Sequence, residues 1–448
     1  MENYLLLCTI ALITIGITAA LVTLSFRRFQ IAVFFLVLAP WVSTLFNSSV
    51  TIGSDYVVTV GEILRIYLVT IFGLTGFIKF AQINRAEKVK IPIQIKMLAV
   101  FIILALISGI YSVDYLHTFI TAATFIALFG FLLGLYSWLM VGERFELVLN
   151  SIFLAVVHII TTNFFTLLFL NKEVWWMLNP NRFVGLWNHP EILGSVCLMT
   201  YPILLWKYFT RNTLRKGFVL VLIIMTGVMH VLSCSVSTML ISTIGIAGWY
   251  ILKYRKVMLH YIVLAIGLAV ALTLTAETIK YSGLNNFEKS VQENFIKSSE
   301  LVKDELSSKS ELPFFGYGFD AETNLQSPSS DRQLKNIIRY GSYGLGLNSG
   351  YYNVFLGLGV IGLLIWCFLL VIPLGKCLHL IPGNYAALFI TALSMCLVLN
   401  FIDPAINIVT GPAGVLFWIV WIMAGRATNL EQKYFPHPRP VIAYERVD

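Results

Sequence analysis

Apolar runs of membrane-spanning length constrain this chain more than any other feature. Residues 5–26, 98–110, 147–170 and 352–371 are nearly free of charge, and several approach the roughly 20 residues that a helix needs to cross a bilayer. Only 12% of the 448 residues are charged, against about 25% in soluble domains, and the mean hydropathy is +0.81. A water-soluble globule is excluded. The pattern predicts an all-α polytopic membrane protein with about 12–13 transmembrane helices.

The formal net charge is +8, but its placement argues against a nucleic-acid partner. Basic residues gather in short links: Arg27 and Arg28, then 85–96, 207–216, 253–256 and the tail from Arg426. The alternate links at 47–61 and 112–117 hold no Lys or Arg. The positive-inside bias then predicts an external amino terminus and a cytoplasmic tail. The first span has no basic n-region and reads as a retained anchor. The expected organisation is an amino-terminal helical bundle over 1–276 with an outer loop at 171–190, a large external loop at 277–349, further spans over 350–425, and a tail at 426–448. Cys8, Cys197, Cys234, Cys367, Cys377 and Cys396 lie in or beside apolar spans without metal-ligand spacing, so they read as packing residues. No metal or cofactor is expected.

Two external segments carry the polar chemistry. In "NNFEKSVQENFIKSSELVKDELSSKSE" the residues Phe287, Val291, Phe295, Val302 and Leu306 recur with helical spacing, as an amphipathic helix across the bundle mouth requires. "LPFFGYGFDAE" reads as an aromatic turn, and "DRQLKNIIRYGSYG" as a short helix with Arg332, Lys335 and Arg339 able to share a face. The other segment is "NRFVGLWNHPEILGSV", which places Arg182, His189 and Glu191 close together. Gly185, Pro190 and Gly194 point to irregular backbone there, which membranes tolerate where it is buried in protein or lines a cavity.

Each candidate has a functional and an ordinary reading. Arg182 suits bidentate phosphate binding and equally suits interfacial snorkelling. Arg339, supported by Arg332 and Lys335, is either a second phosphate clamp or a solvated helix face. His189, Glu191 and Asp320 are candidate proton acceptors for an attacking hydroxyl. His189 also suits a hydrogen-bonded loop, Glu191 a helix first turn, and Asp320 and Asp403 turns. Arg65 is expected to pair with Glu62 or snorkel, while His158 and His230 are expected to be satisfied by neighbouring helices. Nucleotide-binding, zinc and hydrolase-elbow motifs are absent.

Three segments in order resemble the O-antigen ligase and polymerase superfamily of bacterial envelope glycosyltransferases. "RFVGLWNHPEILG" is similar to its Arg-x-x-Gly and Pro-x-x-Leu-Gly element, "PFFGYGFD" to its Pro-x-x-Gly-x-Gly segment, and "LNSGYYNVFLGLGVIGLL" to the segment where the chain re-enters the membrane. The resemblance implies a helical membrane fold with a periplasmic loop over a lateral cavity in the bacterial inner membrane. It also implies glycan transfer from an undecaprenyl-diphosphate-linked oligosaccharide without a nucleotide sugar. On this reading Arg182 and Arg339 clamp the diphosphate, and Asn348, Tyr351 and Tyr352 lie on the substrate side.

Ligases of the superfamily carry a histidine where Asn348 stands here, and Val236 replaces a frequent arginine in "SCSVSTML". Asn cannot act as a base, so the expected activity is a polysaccharide polymerase, with a ligase acting on a lipid A core as the alternative and a small-anion transporter third. The expected partners are the lipid-linked oligosaccharide, the bilayer and, as a candidate, a chain-length regulator.

Overall fold

The computed structural model describes residues 16–44, 46, 49–52, 56–112, 115–140, 143–169, 176–178, 181–187, 189–210, 213–254, 315–316, 318–319, 350–377, 384–400, 406–407, 409, 411 and 412–434. Twelve helices lie among them. They are α1 (Gly16–Arg27), α2 (Phe29–Ser43), α3 (Val60–Glu87), α4 (Ile93–Tyr111), α5 (Tyr115–Trp138), α6 (Glu143–Phe169), α7 (Pro190–Phe209), α8 (Thr213–Ser233), α9 (Val236–Tyr254), α10 (Gly350–Cys377), α11 (Asn384–Leu399) and α12 (Pro412–Tyr434). Eight of these are long and apolar enough to cross a membrane, and four more are shorter and apolar. Large side chains such as Leu74, Ile103, Leu154 and Phe368 are more than half exposed on the bundle surface. A soluble monomer rarely exposes so much apolar surface, whereas a polytopic membrane protein presents it to lipid. The apolar stretch at 257–276, and most of the proposed external loop with both its predicted helices, lie outside the described residues.

Two of the links expected to be external contain strand pairs that the apolar pattern did not predict. β1 (Ser49–Ile52) pairs antiparallel with β2 (Tyr56–Thr59), and β3 (Trp176–Leu178) with β4 (Asn181–Phe183). Short hairpins satisfy backbone groups that an open loop near the membrane would leave to water.

α12 is the hub. From Ala413 to Ala424 its apolar residues are at most 3% exposed, so neighbouring helices surround it in place of lipid. Trp418 lies 5.8 Å from Trp366 of α10 and 6.1 Å from Phe125 of α5, and the Trp421 indole N–H donates to Leu369 O at 3.0 Å.

The α3–α5 seam depends on glycine. The two helices run parallel, with Gly73 and Gly76 against Ala127, Gly130 and Gly134. A Cβ at Gly134 would lie 2.5 Å from Gly76 Cα and 2.7 Å from its carbonyl oxygen. Close backbone approach of this kind drives helix association where lipid removes the hydrophobic incentive. Gly134→Ala should therefore force the helices apart and cost about 1–3 kcal/mol, read as a lower thermal midpoint in detergent; an unchanged midpoint would mean that the seam has slack.

Contacts between helix termini define two ends of the bundle. At one end Lys376 Nζ donates to Gln94 Oε1 at 2.9 Å, Lys207 Nζ to Asn150 Oδ1 at 2.6 Å, Tyr385 Oη to Glu146 Oε1 at 3.3 Å, and Arg426 Nε to Leu139 O at 3.3 Å. This end gathers the basic links. α7 and α11 run antiparallel: Cys396 meets Met199, and Tyr385 meets Trp206. The start of α7 and the end of α11 therefore share the opposite end, where Gly350 N–H donates to Asn400 O at 2.8 Å.

Candidate functional site

At that second end, the β3–β4 hairpin delivers Arg182 to the junction of α7, α8 and α9. Phe183 and Trp187, 0% and 2% exposed, anchor the chain on either side of the turn at Gly185, whose φ is +59°. Asn163 of α6 supports this turn: its Oδ1 accepts the Leu186 N–H at 2.9 Å, while its Nδ2 donates to Ile159 O at 2.8 Å.

The guanidinium is largely committed within the protein. Its Nε donates to Ser233 O at 2.8 Å, and its Nη2 donates to Cys234 O at 3.1 Å and to Glu191 Oε1 at 2.9 Å. Ser233 and Cys234 stand at the carboxyl end of α8, and Glu191 in the first turn of α7. The cation thus meets the negative end of one helix and the anion the positive end of the other. The Arg182 side chain is 11% exposed and that of Glu191 38%, so the carboxylate retains access to water. Cys234 holds a left-handed φ of +51°, an uncommon conformation for a non-glycine residue, and Arg182 bonds the carbonyl of that turn. Sequence reasoning expected an open phosphate ligand here. Only Nη1 fits that description, since it has no protein partner among the described residues.

His189 is the N-cap of α7, with Pro190 in the first turn. Its Nδ1 accepts the Glu191 N–H at 3.3 Å, which places the proton of the neutral ring on Nε2. Burial holds the imidazole below its ordinary pKa of 6.5; Glu191 works in the opposite sense and Arg182 adds to the lowering. The folded state then binds fewer protons than the unfolded state below about pH 6.5, so stability is full above that value and falls as pH drops. Thermal unfolding from about pH 7.5 to about pH 5.5 should show a falling midpoint. His189→Asn, a non-titrating N-cap, should flatten the profile; an unchanged slope would assign the effect to other groups.

Gly194 was expected in irregular backbone, but it lies within α7. A Cβ there would meet Thr238 Oγ1 at 2.5 Å and Ser235 Oγ at 2.7 Å, so glycine lets the start of α9 close against α7. His230 Nε2 and Thr238 Oγ1 are 2.8 Å apart in the same packing, as expected for a histidine satisfied by a neighbouring helix. His158 meets Trp41 edge-on at 4.7 Å, and Arg65 lies 3.7 Å from Glu62.

The second and third motif segments meet each other. Gly316 and Gly318 take φ of +71° and +111°, and Gly318 N–H donates to Gly357 O at 3.0 Å just before α10 breaks at Gly359. Phe319 N–H donates to Ser108 Oγ at 3.0 Å, and Thr118 Oγ1 donates to Phe319 O at 2.8 Å. The Phe319 ring, 1% exposed, lies 5.4 Å from Phe101 and 5.5 Å from Phe125. Tyr351 Oη donates to Leu397 O at 3.3 Å, and Tyr352 is half-buried on the same first turn of α10. Asp320, Arg332, Lys335, Arg339, Asn348 and Asp403 lie outside the described residues.

The sequence reading did not single out Asn163, the carbonyls of Ser233 and Cys234, or Phe319. Asn163 had a sequence signal as a polar side chain in an apolar span, and Phe319 lay in the quoted aromatic turn without being named; the two carbonyls had none. Among the described residues, no group of three or more His, Cys, Asp or Glu could hold a metal ion. No protein-family model matches the chain, and no curated protein matches it by sequence.

Proposed function

We propose that this protein is a polysaccharide polymerase, transferring a growing glycan from an undecaprenyl diphosphate carrier to a lipid-linked repeat unit at the external face of the bacterial inner membrane. One observation carries the reading. Arg182 is fixed by three hydrogen bonds yet keeps Nη1 free of protein partners among the described residues, beside the water-accessible carboxylate of Glu191. A positioned cation next to a carboxylate suits displacement of a diphosphate by a hydroxyl.

In the proposed step, an acceptor hydroxyl oxygen bonds to the anomeric carbon as the bond from that carbon to the diphosphate oxygen breaks. The electron pair leaves with the diphosphate, where Arg182 Nη1 stabilises the developing charge. The hydroxyl proton passes to Glu191. His189 is a poor base in this geometry because its Nδ1 lone pair is occupied by the Glu191 N–H; it positions Glu191. Arg339, Arg332 and Lys335 remain the proposed second clamp, with Asp320, Asn348, Tyr351 and Tyr352 near the glycan. A transporter would need the broken helix to line a cavity. Here the Gly316–Phe319 turn packs against the α10 break, which disfavours that reading.

The test is the purified protein in lipid with an undecaprenyl-diphosphate-linked oligosaccharide as the sole substrate. A ladder of longer lipid-linked glycans, with one undecaprenyl diphosphate released per new linkage, is expected. Transfer only after addition of a lipid A core acceptor would instead identify a ligase.

A further inference from the structure

A second polar site lies at the basic end of the bundle, remote from Arg182. A cavity of about 230 Å³ opens there between α3, α5 and α6, lined in part by Lys79, Gln82, Glu87, Ser137, Met140 and Arg144. Lys79 Nζ donates to Phe26 O at 3.0 Å and stands 4.8 Å from the centre of the Phe26 ring. Arg144 Nη1 donates to Trp138 O at 3.2 Å, with its guanidinium carbon 5.3 Å from the Trp138 ring. Each cation is therefore pinned against the last turn of a helix, α1 or α5, by one hydrogen bond and one aromatic face.

Neither forms an ion pair among the described residues. An ammonium has three donors and a guanidinium five, so most donors of this pair remain for a ligand. Glu87 offsets one positive charge, leaving a net charge of +1 on the lining. That balance matches a phosphodiester monoanion better than a dianion.

Depth points to the source of such an anion. Lys79 lies 19 positions after Val60 at the opposite end of α3, about 28 Å along the axis, close to the roughly 30 Å thickness of a hydrocarbon core. The cavity therefore sits at headgroup level. Deeper in the bilayer, the same helix exposes Leu74 and Ile78, an apolar track for an acyl chain. Basic pockets between helices on the cytoplasmic side are a recurrent means of holding anionic headgroups.

We infer that the cleft between α3, α5 and α6 binds the phosphodiester headgroup of an anionic phospholipid, with Lys79 and Arg144 as its ligands. This inference is independent of the proposed glycan chemistry. Native mass spectrometry of the full chain in detergent, with added phosphatidylglycerol, phosphatidylcholine or inorganic phosphate, tests it. Phosphatidylglycerol should be retained selectively, and Lys79→Gln combined with Arg144→Gln should weaken retention on the order of twentyfold. Lys79→Arg with Arg144→Lys should preserve it. Gln82→Glu removes no capping bond and adds a negative charge at the exposed rim, so it should weaken retention severalfold even if the double neutral variant fails to fold. Equal retention of phosphatidylcholine, or wild-type retention in the Gln82→Glu protein, would overturn the site. Displacement of the lipid by millimolar inorganic phosphate would assign the cleft to free phosphate and overturn the lipid assignment.

Discussion

Replacing Phe319 by alanine is expected to destabilise the protein by about 3–5 kcal/mol. The ring sits at 1% exposure against Phe101 and Phe125, in an aromatic group that continues through Trp366 to Trp418 of the central helix. Its removal opens a void in a close-packed interior whose neighbours are large and rigid. The backbone of the turn is separately fixed by Ser108, Thr118 and Gly357, so collapse into the void should be limited. The thermal midpoint in detergent measures the effect, with Phe319→Leu as an intermediate case. A change below about 0.5 kcal/mol, the range of neutral surface substitutions, would mean that this turn is not seated in the bundle.

Arg182→Ala has two expected consequences of different origin. Loss of the bonds to Ser233 O, Cys234 O and Glu191 should reduce stability by about 2–4 kcal/mol, at the lower end of a buried ion pair because Glu191 remains wet. If Arg182 also stabilises the leaving diphosphate, turnover per folded molecule should fall on the order of a hundredfold. Arg182→Lys, compared per folded molecule, tests the second. A lysine can restore the charge at one point but cannot bond both carbonyls and Glu191 in the fixed planar geometry of a guanidinium. Stability without turnover in that variant would support a direct catalytic contact. Parallel loss and recovery of both would reduce Arg182 to a structural clamp between α7 and α8.

Much of the architecture could be read from the sequence because lipid imposes a simple rule. A charge-free run of about 20 residues has little alternative to a helix, and 147–170 accordingly falls largely within α6. The two hairpins were harder to see. "TIGSDYVVT" contains β-branched residues on either side of a Gly-Ser-Asp sequence, and "WMLNPNRF" contains an Asn-Pro dipeptide; these are strand and turn signals in sequence masked by the dominant apolar pattern.

At the site, the sequence placed Arg182, His189 and Glu191 in one short segment but could not say how they face one another. Glu191 meets Arg182 from the first turn of α7, which Pro190 begins. The other two acceptors of Arg182 are backbone carbonyls some 50 residues away in sequence. Carbonyl acceptors carry no residue signature, so an arginine expected to await a phosphate is found holding a helix end. The same blindness applied to Phe319: its aromatic character was plain, but its seat against Phe101 and Phe125 depends on long-range packing.

The most direct measurement of the central claim is the yield of lengthened glycan per folded molecule, made with wild-type protein, Arg182→Lys and Glu191→Gln in the same lipid. The undecaprenyl-diphosphate-linked repeat unit would be the only substrate, and folded fractions would be matched by thermal unfolding. A ladder in the wild type, lost on the order of a hundredfold in both folded variants, is the predicted result. A wild-type ladder in both would show that Arg182 and Glu191 hold helices together without touching the chemistry; no ladder from the native repeat unit would contradict the polymerase reading itself.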